Sequence, residues 1–348
     1  MPRRPDGQCA VMERVGTSPA LPPAPAASES ELAHLVLMAT YAPSVHNTQP
    51  WQFETLSDGL LLRADRSRQL AVTDPYGRDL AMSCGAAVHH LQVAARAIGL
   101  DTEVTLFPHD GEPDDLAHVR VLRGAPATEP EVEAAVAILH RHTHRGRFPS
   151  EQVSGELVEQ LRTAVELQHG MLRVVHPDEL VEVEVLVSLS EQTLLQTSGY
   201  AAELNQWVWT AGQDGPRPDG LPADAVDHGV DRAESLQGRQ FVETGPVRSG
   251  EPPVPEHPTV VLLTTLADEP GDWVQAGRAL SALLLAATAG HALAQPIGQV
   301  VDVPQTRWAI QRLLGTVGIP QMLLRLGSGD SLPQTPRRAV GDVRVPGP

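Results

Sequence analysis

Ala42-Pro43-Ser44-Val45-His46-Asn47-Thr48-Gln49-Pro50-Trp51 stands between a helical pattern and an alternating one. Pro43 ends the helix before it, because a residue preceding proline avoids the helical region. Pro43 and Pro50 each fix a backbone angle, so the polar run between them is stiff. Ser44, His46, Asn47, Thr48 and Gln49 offer side-chain donors and acceptors along it. Two readings stand: a turn closed by its own side-chain-to-backbone bonds, or a rigid polar edge that hydrogen-bonds a planar heterocycle.

Upstream, Ser28 and Glu31 have capping-box spacing. Leu32, Leu35, Val36 and Ala39 share one helical face, and the Pro- and Ala-rich residues 1–27 before them read as a disordered tail. Downstream, Trp51, Phe53 and Thr55 alternate with polar residues. Ser57-Asp58-Gly59 turns the chain into Leu60-Leu61-Leu62, predicting a hairpin. A helix follows over about 79–98, closed by Gly99, with strands near Val104–Leu106 and Val119–Leu122. The second half predicts helices at Glu131–His140, Glu156–Glu166, about 177–196 and Trp273–Ala289. Its strands are Leu172–Val175, Val260–Leu263 and Met322–Leu326. The unbroken apolar run at Val260–Leu263 marks a central strand.

Gly85-Ala86-Ala87-Val88, then Leu91 and Val93-Ala94-Ala95, is echoed by Gly277-Arg278-Ala279-Leu280, then Leu283 and Leu285-Ala286-Ala287, from 85 to 277. Two like helices in like surroundings suggest a duplicated unit. Residues 211–257 break the pattern with Gly, Pro and Asp, as an excursion that is either a functional lid or disorder.

Composition narrows the chemistry. The net charge of -17 disfavours nucleic-acid binding by bulk electrostatics. The 348 residues include no lysine, which excludes a P-loop, a pyridoxal Schiff base and a Ser-x-x-Lys acyl enzyme. Cys9 and Cys84 form no disulfide or metal framework, and Cys84 reads as core. Residues 1–27 have no apolar signal core, and the longest apolar run, Ala279 to Ala289, is too short to span a bilayer. The expectation is a cytoplasmic protein with a small-molecule partner, no membrane and no nucleic acid.

In that acidic chain Arg141-His142-Thr143-His144-Arg145 is a local basic knot. Two guanidinium groups flanking a hydroxyl beyond a helix suit a phosphate; a solvated helix end favoured by the dipole is the other reading. His140, His142 and His144 alternate and invite a metal site if the segment is extended, although the helical run before it would splay them. Pro336-Arg337-Arg338 is a second basic group near the C-terminus.

Pro43-Ser44, Asn47 and Gln49-Pro50-Trp51 closely resemble the Pro-Ser-x-x-Asn-x-Gln-Pro-Trp hallmark of FMN-dependent nitroreductases. Arg141, Thr143 and Arg145 resemble the family's Arg-x-Ser/Thr-x-Arg phosphate element. The run Asp79 to Ala87, with the loop, is similar to the Acg branch, in which one chain carries two nitroreductase-like halves. The likeness covers about residues 30–342. It implies an α+β nitroreductase-like fold of two pseudo-symmetric halves, 28–125 and 126–342, each a mainly antiparallel sheet flanked by helices, with a lid-like insertion at about 211–257. It implies one composite FMN site, the ring against Pro43, Ser44, His46, Asn47, Thr48 and Gln49, and the phosphate on Arg141, Thr143 and Arg145 with Arg337 or Arg338. No metal is expected. The activity implied is NAD(P)H-dependent reduction of nitro or quinone compounds; the alternative is an FMN-sequestering protein without turnover. The chain would be a monomeric pseudo-dimer or a homodimer.

Overall fold

Ser28 accepts from the Glu31 amide at 3.3 Å while the Glu31 carboxylate accepts from the Ser28 amide at 2.6 Å. That reciprocal cap starts helix α1 (Glu29–Thr40) where the spacing places it. The computed structural model describes residues 27–146, 148, 152–210, 212, 215–225, 256–329 and 334–345. The tail up to residue 26, and residues 226–255 of the expected insertion, lie outside the described residues.

After α1 come β1 (Trp51–Leu56), β2 (Gly59–Ala64), α2 (Arg78–Ala97), β3 (Leu100–Leu106), β4 (Asp115–Arg123) and α3 (Glu129–His140). Next are α4 (Gly155–Glu166), β5 (Met171–Val174), α5 (Leu180–Gln196), α6 (Tyr200–Gln206) and the short parallel pair β6 (Val208–Trp209) and β7 (Leu221–Pro222). The chain closes with β8 (Thr259–Thr265), α7 (Pro270–Ala289), β9 (Leu293–Ile297), α8 (Gln299–Asp302), α9 (Pro304–Leu313), β10 (Ile319–Gly327), α10 (Val340–Val343) and β11 (Arg344–Val345). One sheet runs β11-β1-β2-β4-β3 and the other β5-β8-β10-β9. Apart from β11, which lies parallel to β1, both sheets are antiparallel.

The two sheets repeat one plan. β1-β2-β4-β3 and β5-β8-β10-β9 have the same order, and α2 and α7 occupy the same place in each. Both helices have 20 residues. They cross where neither has a side chain. A Cβ on Gly85 would lie 2.0 Å from the Val274 carbonyl oxygen, and one on Gly277 would lie 1.9 Å from that of Met82. His89 Nδ1 meets Ser281 Oγ at 2.8 Å, a pair 192 residues apart. The same separation relates Gly85 to Gly277 and Met82 to Val274. The crossing is therefore a pseudo-twofold axis, and glycine stands there because only hydrogen lets the two backbones touch. Burial, followed by the Arg278 charge, lowers His89 to about 3, so its ring is neutral at the axis.

β8 is buried along its whole length, as its unbroken apolar run predicts. Val261 and Leu263 face the core shared with α7, while Val260 and Leu262 face α5 and α9. β9 carries no strand signal, because Gln295 and Pro296 interrupt Leu293-Ala294. It forms the sheet edge, where proline is tolerated.

The halves are also tied by charge. Arg78 at the start of α2 bridges Asp79 (2.6 Å) and Asp302 (2.7 Å), and donates to the Gln321 carbonyl at 3.0 Å. Buried Asp74 accepts from the Leu80 amide at 2.9 Å. Burial and then the Asp79 charge push its carboxyl up to about 8. A carboxyl raised in the folded state stabilises the fold below its unfolded pKa and loses that contribution as pH rises through the folded value. Asp74→Asn cannot ionise. Its melting temperature relative to the parent should therefore climb by several degrees between pH 5 and pH 9, measured by calorimetry; a pH-independent difference contradicts the assignment.

Candidate functional site

The stretch 42–51 folds as a single turn of 3-10 helix, Val45–Asn47, between α1 and β1. Its backbone is left-handed at His46 (φ 46°), Asn47 (φ 56°) and Gln49 (φ 50°). None is glycine, and each such residue costs on the order of 1 kcal/mol unless its surroundings over-determine it.

The surroundings do so from five directions. Ser44 Oγ accepts from the Gln49 amide at 3.0 Å, and Ser83 on α2 accepts from the Val45 amide at 3.2 Å. Asn47 donates to the carbonyls of Gly220 and Pro336, both at 3.0 Å, and Gln49 donates to that of Pro218 at 2.9 Å. The Arg338 amide donates to Gln49 Oε1 at 2.8 Å, and the Arg338 guanidinium donates to the Gln49 carbonyl at 3.1 Å. Arg68 donates to the Thr48 carbonyl at 2.5 Å. The Asn47 and Gln49 amides thus hold protein partners, whereas the buried Thr48 hydroxyl has none among the described residues. Cys84 donates its thiol proton to the Pro50 carbonyl, and burial raises its pKa, which makes it a core residue rather than a nucleophile.

Three arginines converge beside this loop. Arg141 leaves the end of α3 and donates to the Tyr41 carbonyl at 3.0 Å. Arg337 reaches the same carbonyl at 3.4 Å and Asn47 Oδ1 at 3.2 Å. Arg145 is close enough to feel the Arg337 charge. Burial and then the neighbouring guanidinium groups lower Arg141 to about 9. Arg145 and Arg337 fall to about 10, in each case mainly through burial. All three stay charged at neutral pH. No carboxylate pairs with any of them among the described residues. Arg141 Nε and Nη1 and Arg337 Nε are buried without a partner. Burying unpaired positive charge is expensive, and an anion with several acceptor oxygens could offset that cost here. His90, fully buried on α2, is held well below its usual pKa by burial and then by the Arg141 charge, and is a neutral neighbour of the cluster.

The structure sorts the remaining predicted residues. Thr143 bridges to Ala294 on β9, and the His144 amide donates to the Ala294 carbonyl at 2.9 Å, which ties the chain to the edge of the second sheet. Arg338 turns away from the arginine cluster, donating to the Gln49 and Asp342 carbonyls. The alternating histidines part company. His140 bonds the Val136 carbonyl, His142 bonds the His140 carbonyl, and His144 packs on Phe148 at 4.7 Å. Among the described residues no three metal-ligating side chains gather. Arg68 and the Tyr41 carbonyl had no local signal, whereas the strip Pro218–Gly220 lies within the excursion rich in Gly, Pro and Asp. The pair His89-His90 in a helix of small residues was one that could have been read.

No family model matches the chain. Two proteins of Mycobacterium tuberculosis match nearly all of it. "Putative NAD(P)H nitroreductase Rv3131" is 32% identical over 324 residues, 90% of this chain and 91% of its own. "Putative NAD(P)H nitroreductase acg" is 31% identical over 317 residues, 88% of this chain and 93% of its own. Among solved structures, a nitroreductase with bound FMN from Desulfitobacterium hafniense aligns at 14% identity and a TM-score of 0.38. It covers 60% of this chain and 95% of that one.

Proposed function

This chain belongs to the nitroreductase family, in its Acg-like branch, and on that premise we propose that it binds one FMN and uses NAD(P)H to reduce nitro or quinone compounds. The observation that carries the reading is a group of three arginines, Arg141 buried and Arg145 and Arg337 half-buried, with no acidic partner among the described residues, set against a strained polar loop. Arg141, Arg145 and Arg337 hold the phosphate, with Thr143 beside them. Pro43, Ser44, His46, Asn47, Thr48 and Gln49 line the ring, and Arg338 braces that loop from behind. Bound flavin supplies the hydride chemistry, while the protein supplies position and electrostatics. The site draws its loop from the half ending near residue 125 and its arginines from the half that follows. The counterpart connection between α4 and β5 is only Leu167-Gln168-His169-Gly170, without the polar run, which supports a single site per chain; the chain works in the cytoplasm as a monomeric pseudo-dimer or as a homodimer. Among the described residues no helix is long and apolar enough to cross a membrane.

Titration with FMN and with riboflavin tests this reading. FMN should saturate at one per chain, and riboflavin, lacking the phosphate, should bind at least about 100-fold more weakly. A protein that takes up no FMN, or binds both alike, overturns it. Oxidation of NADPH in the presence of a nitroarene, above the rate with free FMN, then separates the reductase from the second reading, a flavin-sequestering protein. That second reading is favoured by one feature. The strip Pro218–Gly220 lies on the loop and takes hydrogen bonds from Asn47 and Gln49.

A further inference from the structure

Three left-handed residues in four cannot hold themselves. Arg68, in the connection between β2 and α2, touches both the loop and the strip that covers it. It donates to the Thr48 carbonyl at 2.5 Å, pairs with Asp219, and lays its guanidinium 5.5 Å from the centre of the Trp207 ring. Side-chain exposure is 17% for Arg68 and 15% for Asp219, so the pair is only weakly screened by solvent. Asp219 also accepts from Arg217 at 3.0 Å, and its carbonyl accepts from Trp209 Nε1 at 2.9 Å. Next to it, Gly220 (φ 71°) has room for no side chain, since a Cβ would lie 2.7 Å from the Trp207 carbonyl oxygen. Its amide donates to the Asn47 carbonyl at 3.2 Å, and the Leu221 amide donates to the Trp207 carbonyl at 2.6 Å. Asp219 thus ties the strip to Arg68 through its carboxylate and to Trp209 through its carbonyl.

We infer that Arg68 and Asp219 are a positioning pair: by clasping the strip 218–221 to the loop 46–49 they hold the loop's left-handed conformation and set how long a bound FMN stays. The pair touches no part of the arginine cluster. Its effect runs through the Thr48 and Asn47 backbone. The claim about FMN residence rests on the FMN reading above, whereas the clasp itself does not.

The full-length chain tests both. Without flavin, Asp219→Asn should speed amide exchange at Gly220, Leu221 and the loop 46–49 by about tenfold or more, while the crossing of α2 and α7 keeps its protection. With FMN loaded, Asp219→Asn and Arg68→Met should each speed FMN release about tenfold. The double variant should release it no faster than Arg68→Met alone, because that substitution already removes the ion pair along with the bond to the Thr48 carbonyl. Full additivity, an unchanged release rate, or exchange that spreads through α2 overturns the pair's role. Should the parent chain bind no FMN, the FMN reading and the residence claim fall together, and the exchange measurement alone decides the clasp.

Discussion

Arg141→Leu should weaken FMN binding by about 10- to 100-fold and raise the melting temperature of the flavin-free chain. The two effects have opposite signs because the guanidinium is useful only against an anion. Each charge-assisted hydrogen bond to a phosphate contributes about 1.5–3 kcal/mol. Arg141 has two buried donor nitrogens, Nε and Nη1, without a partner. In the flavin-free chain the guanidinium feels the charges of Arg337 and Arg145 and has no carboxylate partner among the described residues. A leucine keeps much of the bulk and removes both the desolvation cost and the repulsion, giving up one bond to the Tyr41 carbonyl. Inorganic phosphate should stabilise the flavin-free parent, and the variant less so. Calorimetry of the flavin-free protein together with FMN titration reads both signs. A variant that is less stable without flavin and unchanged in affinity would show that the cluster is ordinary core.

The second large effect sits on the axis. Gly85→Ala and Gly277→Ala should each destabilise the fold by roughly 3 kcal/mol or more, and by similar amounts. The added methyl would lie 2.0 Å from the Val274 carbonyl oxygen in one case and 1.9 Å from that of Met82 in the other. Neither neighbour is a flexible side chain. The helices must separate, and the His89–Ser281 bond and the cores on either side of α2 and α7 separate with them. Chemical denaturation would reveal the equality. If one substitution were tolerated and the other not, the axis would be a coincidence of packing.

Much of this was legible along the chain. The cap at Ser28 and Glu31, the hairpin after Trp51, the buried strand at Val260–Leu263 and the echo of Gly85 at Gly277 are local or periodic signals, and each has its element. β9 was not legible, because Pro296 and Gln295 hide an edge strand, nor was β11, whose two residues pair with a strand near the other end of the sequence. Arg337 and Arg338 looked equivalent. Their partners separate them: Arg337 reaches Tyr41 and Asn47, and Arg338 reaches Gln49 and Asp342.

The sequence by itself determined which residues could meet an anion and a heterocycle: a polar loop between two prolines, and arginines in a chain without lysine. Only the tertiary structure decided that the loop's own amides hold protein partners while the arginines keep unpaired donors. The reason is distance along the chain. Gln49 finds its partner on Arg338, 289 residues away, and Asn47 finds one on Gly220, 173 residues away. No periodicity records such contacts, because they exist only once two halves have packed across Gly85 and Gly277. The loop from Ala42 to Trp51 announces a site; the fold around it determines which of its groups are free to bind.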